Sequence, residues 1–165
     1  MGRNNFNWDA TSYFEDLTSS NRLCKSLDAK FCRVSGLEGF QEALTRFQRA
    51  KMIVAASDIA PGVLDLTNSP HIRRAKLVFM AMRHSIDSMQ AREECMDLMR
   101  EVFRQFMSCL IMERVQIEQN GIYIDDNVAF TEIDRYFASG MACAYFQLGI
   151  TTYTNLVYNP EEWLQ

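Results

Sequence analysis

The sequence predicts an α+β fold, a two-layer domain in which one long helix packs on a mostly antiparallel or mixed sheet, with further helices at the N-terminus. Three features indicate this fold: an apolar run between basic ends at 76–83, an amphipathic stretch at 88–112, and a nearly uncharged run at 141–151. Early helices followed by strands, with one long helix to cover the sheet, are typical of this class. The 165 residues are expected to form a single domain, residues 1–165, with an N-terminal helical extension at 1–30 and an α+β core at 31–165.

The first half of the chain contains helical and extended stretches in alternation. Residues 12–29 fit one helix, or two short helices broken near residues 18–21. A short strand is predicted at 31–35. Ser35 and Glu38 then form a Ser-x-x-Glu capping pattern that predicts a helix at 36–50. A buried strand at 52–56 and a loop through 57–62 and 67–70 lead to the basic strand at 75–83.

The long helix is predicted from its cap and from its period. Asp87 offers a capping acceptor, with Gln90 three residues further on. Apolar residues then return every three or four positions, which is the helical period. These residues are Met96, Met99, Val102, Phe103, Phe106 and Leu110. Asn120-Gly121 follows with apolar neighbours at 115, 117, 122 and 124, a pattern that predicts a tight hairpin.

The last third of the chain is predicted to be extended. Residues 125–127 form a polar turn, and residues 128–137 alternate apolar and polar side chains, as a half-exposed strand does. Ser139-Gly140 turns the chain into the uncharged strand at 141–151. Residues 153–158 are predicted to continue as extended chain, and residues 159–163 follow as the last part of the chain.

Composition places the chain among ordinary globular proteins, with 48% hydrophobic and 23% charged residues. No apolar run approaches the roughly 20 residues of a membrane span, so no membrane partner is expected. The first eight residues lack the apolar stretch of a signal peptide, so we expect the product to stay in the cytoplasm. Five cysteines without a Cys-x-x-Cys pair predict reduced, mostly buried thiols.

Charge is distributed unevenly along the chain. Residues 113–165 carry eight acids and two arginines, a net charge of −6 against −4 for the whole chain, while residues 66–86 contain no acid. Complementary potentials set register in an assembly, so these segments are candidates for contact between subunits. The alternative interpretation is that both are solvated surfaces. The candidate subunit or partner interface consists of Arg73, Arg74, Lys76, Arg83, Glu132, Asp134 and Arg135.

The sequence shows no catalytic constellation. His71 and His84 are its only histidines, and neither lies in a Gly-x-Ser-x-Gly or Cys/His context. The phosphate-binding patterns Gly-x-x-x-x-Gly-Lys and Gly-x-Gly-x-x-Gly do not occur. We therefore expect no catalytic residues, no cofactor and no enzymatic activity.

Paired carboxylates on the predicted strand at 128–137 are the strongest alternative. Glu132 and Asp134 point to the same side of a strand, as metal ligands of a nuclease sheet do. The lysine expected two residues after the glutamate is absent, because Asp134 occupies that place. We expect a structural or solvated pair here and no metal site.

Nucleic acid is not an expected partner, because the basic cluster at 71–84 is modest and the chain as a whole is acidic. Methionine is adaptable at surfaces, and Met89, Met107 and Met112 lie off the core stripe of the long helix. Their position suggests a contact between subunits.

The order of the predicted elements over residues 10–163 is similar to that of a known protein family. The points of similarity are residues 52–62 running into a loop, the strand at 73–83, the helix at 88–112, and a last strand that closes in residues 156–163. This order resembles the tail-tube terminator, or tail completion, proteins of long-tailed phages and prophages. The N-terminal helical extension and the five cysteines depart from the family pattern.

The resemblance implies a non-enzymatic structural protein that forms a ring, usually of six copies. Such a ring caps the finished tail tube, offers a surface to the head connector and ends up in the virion tail. Two other classes stay open from sequence: a small α+β enzyme that uses the strand around Glu132 and Asp134, and a host-encoded protein-interaction module.

Overall fold

The computed structural model describes residues 8–67, 69–133 and 140–164. In these residues the chain forms a mixed sheet of seven strands with helices on both faces, which confirms the predicted α+β class. The elements in chain order are α1 (Ala10–Ser20), α2 (Arg22–Ser26), β1 (Lys30–Val34), α3 (Leu37–Arg46), β2 (Met52–Ser57), β3 (Gly62–Asp65), β4 (His71–Arg83), α4 (Met89–Gln119), β5 (Ile122–Ile124), β6 (Ala129–Ile133), β7 (Met141–Tyr153) and a 3₁₀ turn (Pro160–Glu162). No helix among the described residues has the length and apolarity to cross a membrane.

The sheet is built around two strands of 13 residues each, β4 and β7. They pair antiparallel along their whole length, from His71 opposite Tyr153 to Arg83 opposite Met141. β2 and β3 lie on the other side of β4, one after the other, and β5 and β6 lie on the other side of β7. β1 pairs parallel with β2, which makes the sheet mixed.

The N-terminal helices are two, and a single asparagine separates them. Asn21 ends α1 with its backbone N–H bonded to the Leu17 carbonyl, and its side chain accepts a hydrogen bond from the Cys24 N–H at the start of α2. The Asn21 amide also donates to Gln105 Oε1 at 2.7 Å, which ties both helices to α4. Of the two alternatives left open by the sequence, the structure has the two short helices broken near residues 18–21.

Two predicted helix caps were wrong by one residue. Gly36 is the N-cap of α3, with φ of 138° and no side-chain cap bond, so the pattern of Ser35 and Glu38 does not cap this helix. Ser88, not Asp87, caps α4 by accepting a hydrogen bond from the Ala91 N–H at 3.1 Å. Adjacent polar residues compete for one cap position, and the backbone path decides which is used.

The hairpin predicted at Asn120-Gly121 was also wrong, because α4 continues through residues 115 and 117 to Gln119. Buried Leu110 and Ile117 are two helical turns apart, and Arg114 donates to Glu118 Oε1 at 2.7 Å along the helix. Gly121 then adopts φ of 74° and bonds the Glu118 carbonyl. The positive φ of an Asn-Gly pair ends the helix here instead of joining two strands.

The region predicted as a loop before β4 contains a strand. β4 begins at His71 rather than at 75, and its first residues pair with β3. β3 has four residues that are exposed or half-buried, so it lacks the buried run by which β2 was recognised. After the chain leaves β5, the polar turn at 125–127 and the start of β6 agree with prediction; residues 134–139 lie outside the described residues.

Two hydrophobic cores lie on opposite faces of the sheet. α4 and α1 cover one face, where Phe14, Phe106 and Phe146 meet with ring centroids 5.4 to 5.9 Å apart. α3 covers part of the other face, where Phe40 stacks on Phe79 at 4.8 Å. The first core includes a layer of buried methionines from β2, β4 and α4, namely Met52, Met80, Met82, Met96 and Met99.

We expect Phe106→Ala to lower the free energy of unfolding by about 3 to 5 kcal/mol, the usual cost of truncating a buried Phe. Phe106 is 1% exposed. Phe103 is half-buried against Phe130 and Phe146, so Phe103→Ala should cost less. Arg104→Ala, on the exposed side of α4, is the control and should change stability by less than about 1 kcal/mol. Chemical denaturation checks all three, and equal small effects would contradict the assignment of the core stripe.

Candidate assembly surfaces

The four basic residues predicted for an interface all lie on β4 and divide between its two faces. Neighbouring side chains alternate along a strand, so Arg73 and Arg83 share the face of α3 while Arg74 and Lys76 share the face of α4. The structure therefore does not present the basic segment as one continuous patch.

Arg73 forms an ion pair with Asp125 over an open part of the sheet. Its guanidinium contacts the carboxylate through Nε at 3.1 Å and through Nη2. The hydrogen bonds that Arg73 donates to Asp125 raise the pKa of Arg73. Gly149 lies directly beneath, where a Cβ would overlap the Asp125 carboxylate and Arg73 Nη2. A glycine at this position of β7 thus leaves the space that the ion pair fills.

Lys76 and Arg83 donate hydrogen bonds to backbone carbonyls of their own chain. Lys76 Nζ donates to the carbonyls of Ser57 at 3.2 Å and Asp58 at 2.8 Å. Burial first, and then the charge of Arg74, lower the pKa of Lys76. Arg83 Nη2 donates to the Leu44 carbonyl at the end of α3, at 3.0 Å. Both cations satisfy backbone carbonyls, so a role for them in a subunit contact stays a prediction.

Glu132 lies on β6 and is held by an arginine of α4. Arg100 donates to both carboxylate oxygens, with Nε to Oε1 at 2.7 Å and Nη2 to Oε2 at 2.9 Å, and its Nη1 donates to Asp97 at 2.6 Å. These bonds from Arg100 lower the pKa of Glu132. Asp134 and Arg135, the other predicted residues of this group, lie outside the described residues.

An open cleft of about 410 Å³ lies beside this ion pair, with Arg92, Met96, Glu132 and Ile133 among its lining residues. Both oxygens of Glu132 already accept charged hydrogen bonds, which leaves little capacity for a cation. Within residues 8–67, 69–133 and 140–164, no three His, Cys, Asp or Glu side chains gather as metal ligands do.

The histidines and cysteines serve local structure. His71 Nδ1 lies 2.9 Å from the Ser69 carbonyl, and His84 Nδ1 lies 2.8 Å from the Ser85 carbonyl. All five cysteines are free; four are buried and Cys109 is half-buried, as the sequence predicted. Burial raises the pKa of the Cys24 thiol to about 11 and of the Cys143 thiol to about 12, so these sulfurs are protonated and unreactive at neutral pH.

Exposed apolar side chains form surfaces that the sequence analysis largely missed. One surface is the arm, defined here as β3 and residues His71–Lys76 of β4. Val63 on the arm is 73% exposed, and Leu64 and the adjoining Leu66 are exposed as well. A signal was present in the run Val63-Leu64, but the polar residues around it indicated a loop. The structure turns this run into an outer strand.

A second apolar surface is the terminal segment, defined here as residues 154–164. Val157 is 79% exposed and Tyr158 is 70% exposed, and Leu156, Trp163 and Leu164 are exposed too. Tyr158 and Trp163 stack on each other at 6.3 Å. The segment leaves the sheet beside the arm, where the Thr154 N–H bonds the Pro70 carbonyl at 3.0 Å.

A third apolar surface is the outer stripe of α4, defined here as Ile111, Met112 and Val115, all exposed. Of the methionines predicted to lie off the core stripe, Met89 and Met112 are exposed, while Met107 is half-buried and packs against the first core. The helix thus has a core side and, over its last third, a second apolar side without a neighbour among the described residues.

The face of the sheet opposite α4 is open near the arm, because α3 covers only the other end. Tyr153 of β7 contacts Tyr123 of β5 edge-on at 5.5 Å and His71 at 6.0 Å. Tyr123 and Tyr153 are both exposed. Two exposed tyrosines therefore lie on the open part of this face, beside the arm.

No protein-family model matches the sequence, and no curated protein matches it. The functional interpretation therefore depends on the surfaces themselves and on the resemblance in element order.

We expect Glu132→Gln to lower the melting temperature modestly at pH 7, because it removes one partner of the ion pair with Arg100. A carboxyl whose pKa is depressed on folding contributes stability above its unfolded pKa and loses it as pH falls through the folded value. The difference from wild type should therefore shrink below about pH 4.5, the ordinary pKa of the group, and disappear once Glu132 is protonated. Thermal unfolding over a pH series measures it. Glu42→Gln, at an exposed position of α3, is the matched control and should leave the curve unchanged.

We expect magnesium, manganese and calcium to leave the melting temperature unchanged, because Arg100 already occupies both oxygens of Glu132. A cation that bound only the folded chain would add about 2.7 kcal/mol of stability at a hundred times its dissociation constant. Differential scanning calorimetry with and without each cation is the measurement. A rise that the Glu132→Ala, Asp134→Ala double variant abolishes would favour the enzyme interpretation instead.

Proposed function

We propose that the chain is a non-enzymatic assembly protein of a phage or prophage tail. In this proposal it acts as a terminator: copies associate into a ring, usually of six members in the family it resembles, and the ring caps the tail tube and meets the head connector. The observation that carries the proposal is the concentration of exposed apolar side chains on the arm, the terminal segment and the outer stripe. Contiguous apolar patches on a folded chain mark surfaces that other proteins cover.

The three surfaces are unlike one another, which suits a ring. A contact between unlike patches repeats around an axis and closes when the rotation allows, whereas a contact of one patch with itself stops at two copies. The arm is extended and basic, the outer stripe is helical, and the terminal segment is irregular and acidic. A chain with such different surfaces can contact neighbours, tube and connector at the same time.

Ion pairs within the chain refine the charge argument. Of the eight acids in residues 113–165, four are paired with arginines of the same chain, namely Glu118, Asp125, Asp126 and Glu132. Glu161 and Glu162 on the terminal segment are exposed. The acidic charge available for a subunit contact therefore includes the end of the chain.

The competing enzyme interpretation lacks a favourable observation, since its central residue, Glu132, is held by Arg100. A host-encoded interaction module would use the same surfaces and differ in its genetic setting. Tail-tube, tape-measure or portal genes beside the coding sequence would support the tail proposal over this module.

We expect the purified chain to associate with increasing concentration, with a mass that levels off at a fixed multiple of the 19.1 kDa protomer. Because unlike charges contribute to the contact, added salt should weaken the association. Light scattering over a concentration and salt series is the measurement. A mass of one protomer throughout would count against self-assembly in the absence of the tube.

The role in the tail has a separate test. A cap ends the growth of a tube, so a phage or prophage that lacks the chain should make tails of uncontrolled length without heads. Electron microscopy of lysates shows tail length and head attachment directly. Tails of normal length with heads attached, made without the chain, would refute the terminator proposal whatever the state of the purified protein.

A further inference from the structure

The terminal segment is an apolar strip of chain that its own molecule does not cover. Beyond Thr154, each of its hydrogen bonds among the described residues stays inside the segment: Asn155 Oδ1 accepts from Val157, and Asn159 accepts from Glu161 and Glu162. Its apolar side chains, Leu156 to Tyr158 and then Trp163 and Leu164, are exposed. A partner that covered these side chains would gain free energy from burying apolar surface.

The arm offers a free strand edge. β3 pairs with β4 on one side and has no neighbour on the other side among the described strands. The Ala75 N–H bonds the Pro61 carbonyl, and bonded pairs alternate along an antiparallel ladder. The backbone groups of Val63 and Asp65 therefore face β4, while the N–H and C=O groups of Gly62 and Leu64 point outward. Such an edge is a template for one further strand.

We propose that the terminal segment of one copy adds as a strand along the free edge of β3 in a second copy. Residues Leu156–Tyr158 would supply the backbone bonds, and their apolar side chains would cover Val63, Leu64 and Leu66. This mode of recognition uses main-chain hydrogen bonds for affinity and alternate side chains for specificity. The inference names the contact by which copies associate and so rests on the proposed function.

The topology favours a second copy over the same chain as the occupant. The terminal segment continues from β7, which lies on one side of β4, whereas the free edge of β3 lies beyond the other side of β4. To reach its own arm the segment would have to turn back across the end of two strands. In the structure, the terminal segment does not cover the arm of its own chain, and the apolar side chains of both are exposed.

Charge favours the same pairing. The terminal segment carries Glu161 and Glu162 and no cation. The arm carries Arg73, Arg74 and Lys76 against Asp65, a net charge of +2, and Asp125 of the same chain pairs with Arg73, which leaves a net charge of +1. The sign of this charge favours contact between the segment and the arm of neighbouring copies over contact between two segments or two arms. A single added strand is a small interface, so we expect association that depends strongly on concentration.

Trp163 allows the contact to be observed directly in the full chain. In a Trp8→Phe background Trp163 is the only tryptophan. Its emission should shift to shorter wavelength as concentration rises and the segment is covered, in step with the mass from light scattering. A blue-shifted emission that persists at nanomolar concentration, with the mass of one protomer, would mean that the segment covers its own arm and would overturn the proposal.

Three substitutions at exposed positions separate the possible contacts. Val157→Asp in the segment and Val63→Asp on the arm should each raise the concentration at half-association by about tenfold or more, since each places a carboxylate in an apolar contact. Val115→Asp, on the outer stripe and 65% exposed, tests the alternative contact through that stripe. If copies associate through the segment and the arm, it should leave the concentration at half-association unchanged. Circular dichroism and melting temperature establish that each variant is folded.

The outcomes distinguish this inference from the proposed function. Association weakened by Val157→Asp and Val63→Asp but not by Val115→Asp supports the exchange of the segment. Association that only Val115→Asp weakens would overturn the exchange and leave self-assembly in place through the outer stripe. A wild-type chain that stays a single protomer at every concentration would overturn the exchange, while tail length in the phage still decides the terminator role.

Discussion

The structure depends on the pairing of β4 with β7. Thirteen residues of each strand are in continuous register, and every other strand attaches to one or the other, directly or through β2. A slip of β4 by one residue would move each of its side chains to the opposite face. Val78 would then leave the core under α4, and Phe79 would leave its stack with Phe40. This single register therefore determines both cores and the position of the arm.

Strongly patterned elements could be predicted from the sequence because burial selects their residues. β2 and the second half of β4 consist of buried apolar residues, and the α4 stripe repeats with the helical period. Element ends were harder, because their signals are shared. Asn-Gly supplies a positive φ that serves a hairpin or a helix end, and either Asp87 or Ser88 has the oxygen that a cap requires. β3 was missed because its four residues, three exposed and one half-buried, carry no burial pattern.

The candidate surfaces could be predicted only in part, because charge is visible in a sequence while its partner is not. Arg73 pairs with a carboxylate 52 positions away, and Arg100 with one 32 positions away. These ion pairs within the chain neutralise charges that the sequence analysis had assigned to a candidate interface. Apolar exposure was misjudged from the sequence. The last strand predicted to close in residues 156–163 was wrong, because β7 ends at Tyr153 and the described residues 154–164 form no strand.

Oxidation of the methionine layer between the sheet and α4 would report unfolding of this core. Met52, Met80, Met82 and Met99 are fully enclosed. Peroxide converts methionine to a polar sulfoxide, and it reaches these sulfurs only in molecules whose core has come apart. A sulfoxide does not fit the apolar space that the thioether left, so an oxidised molecule resists closing again. Under peroxide, even a brief unfolding of the core would therefore leave methionine sulfoxides in the protein.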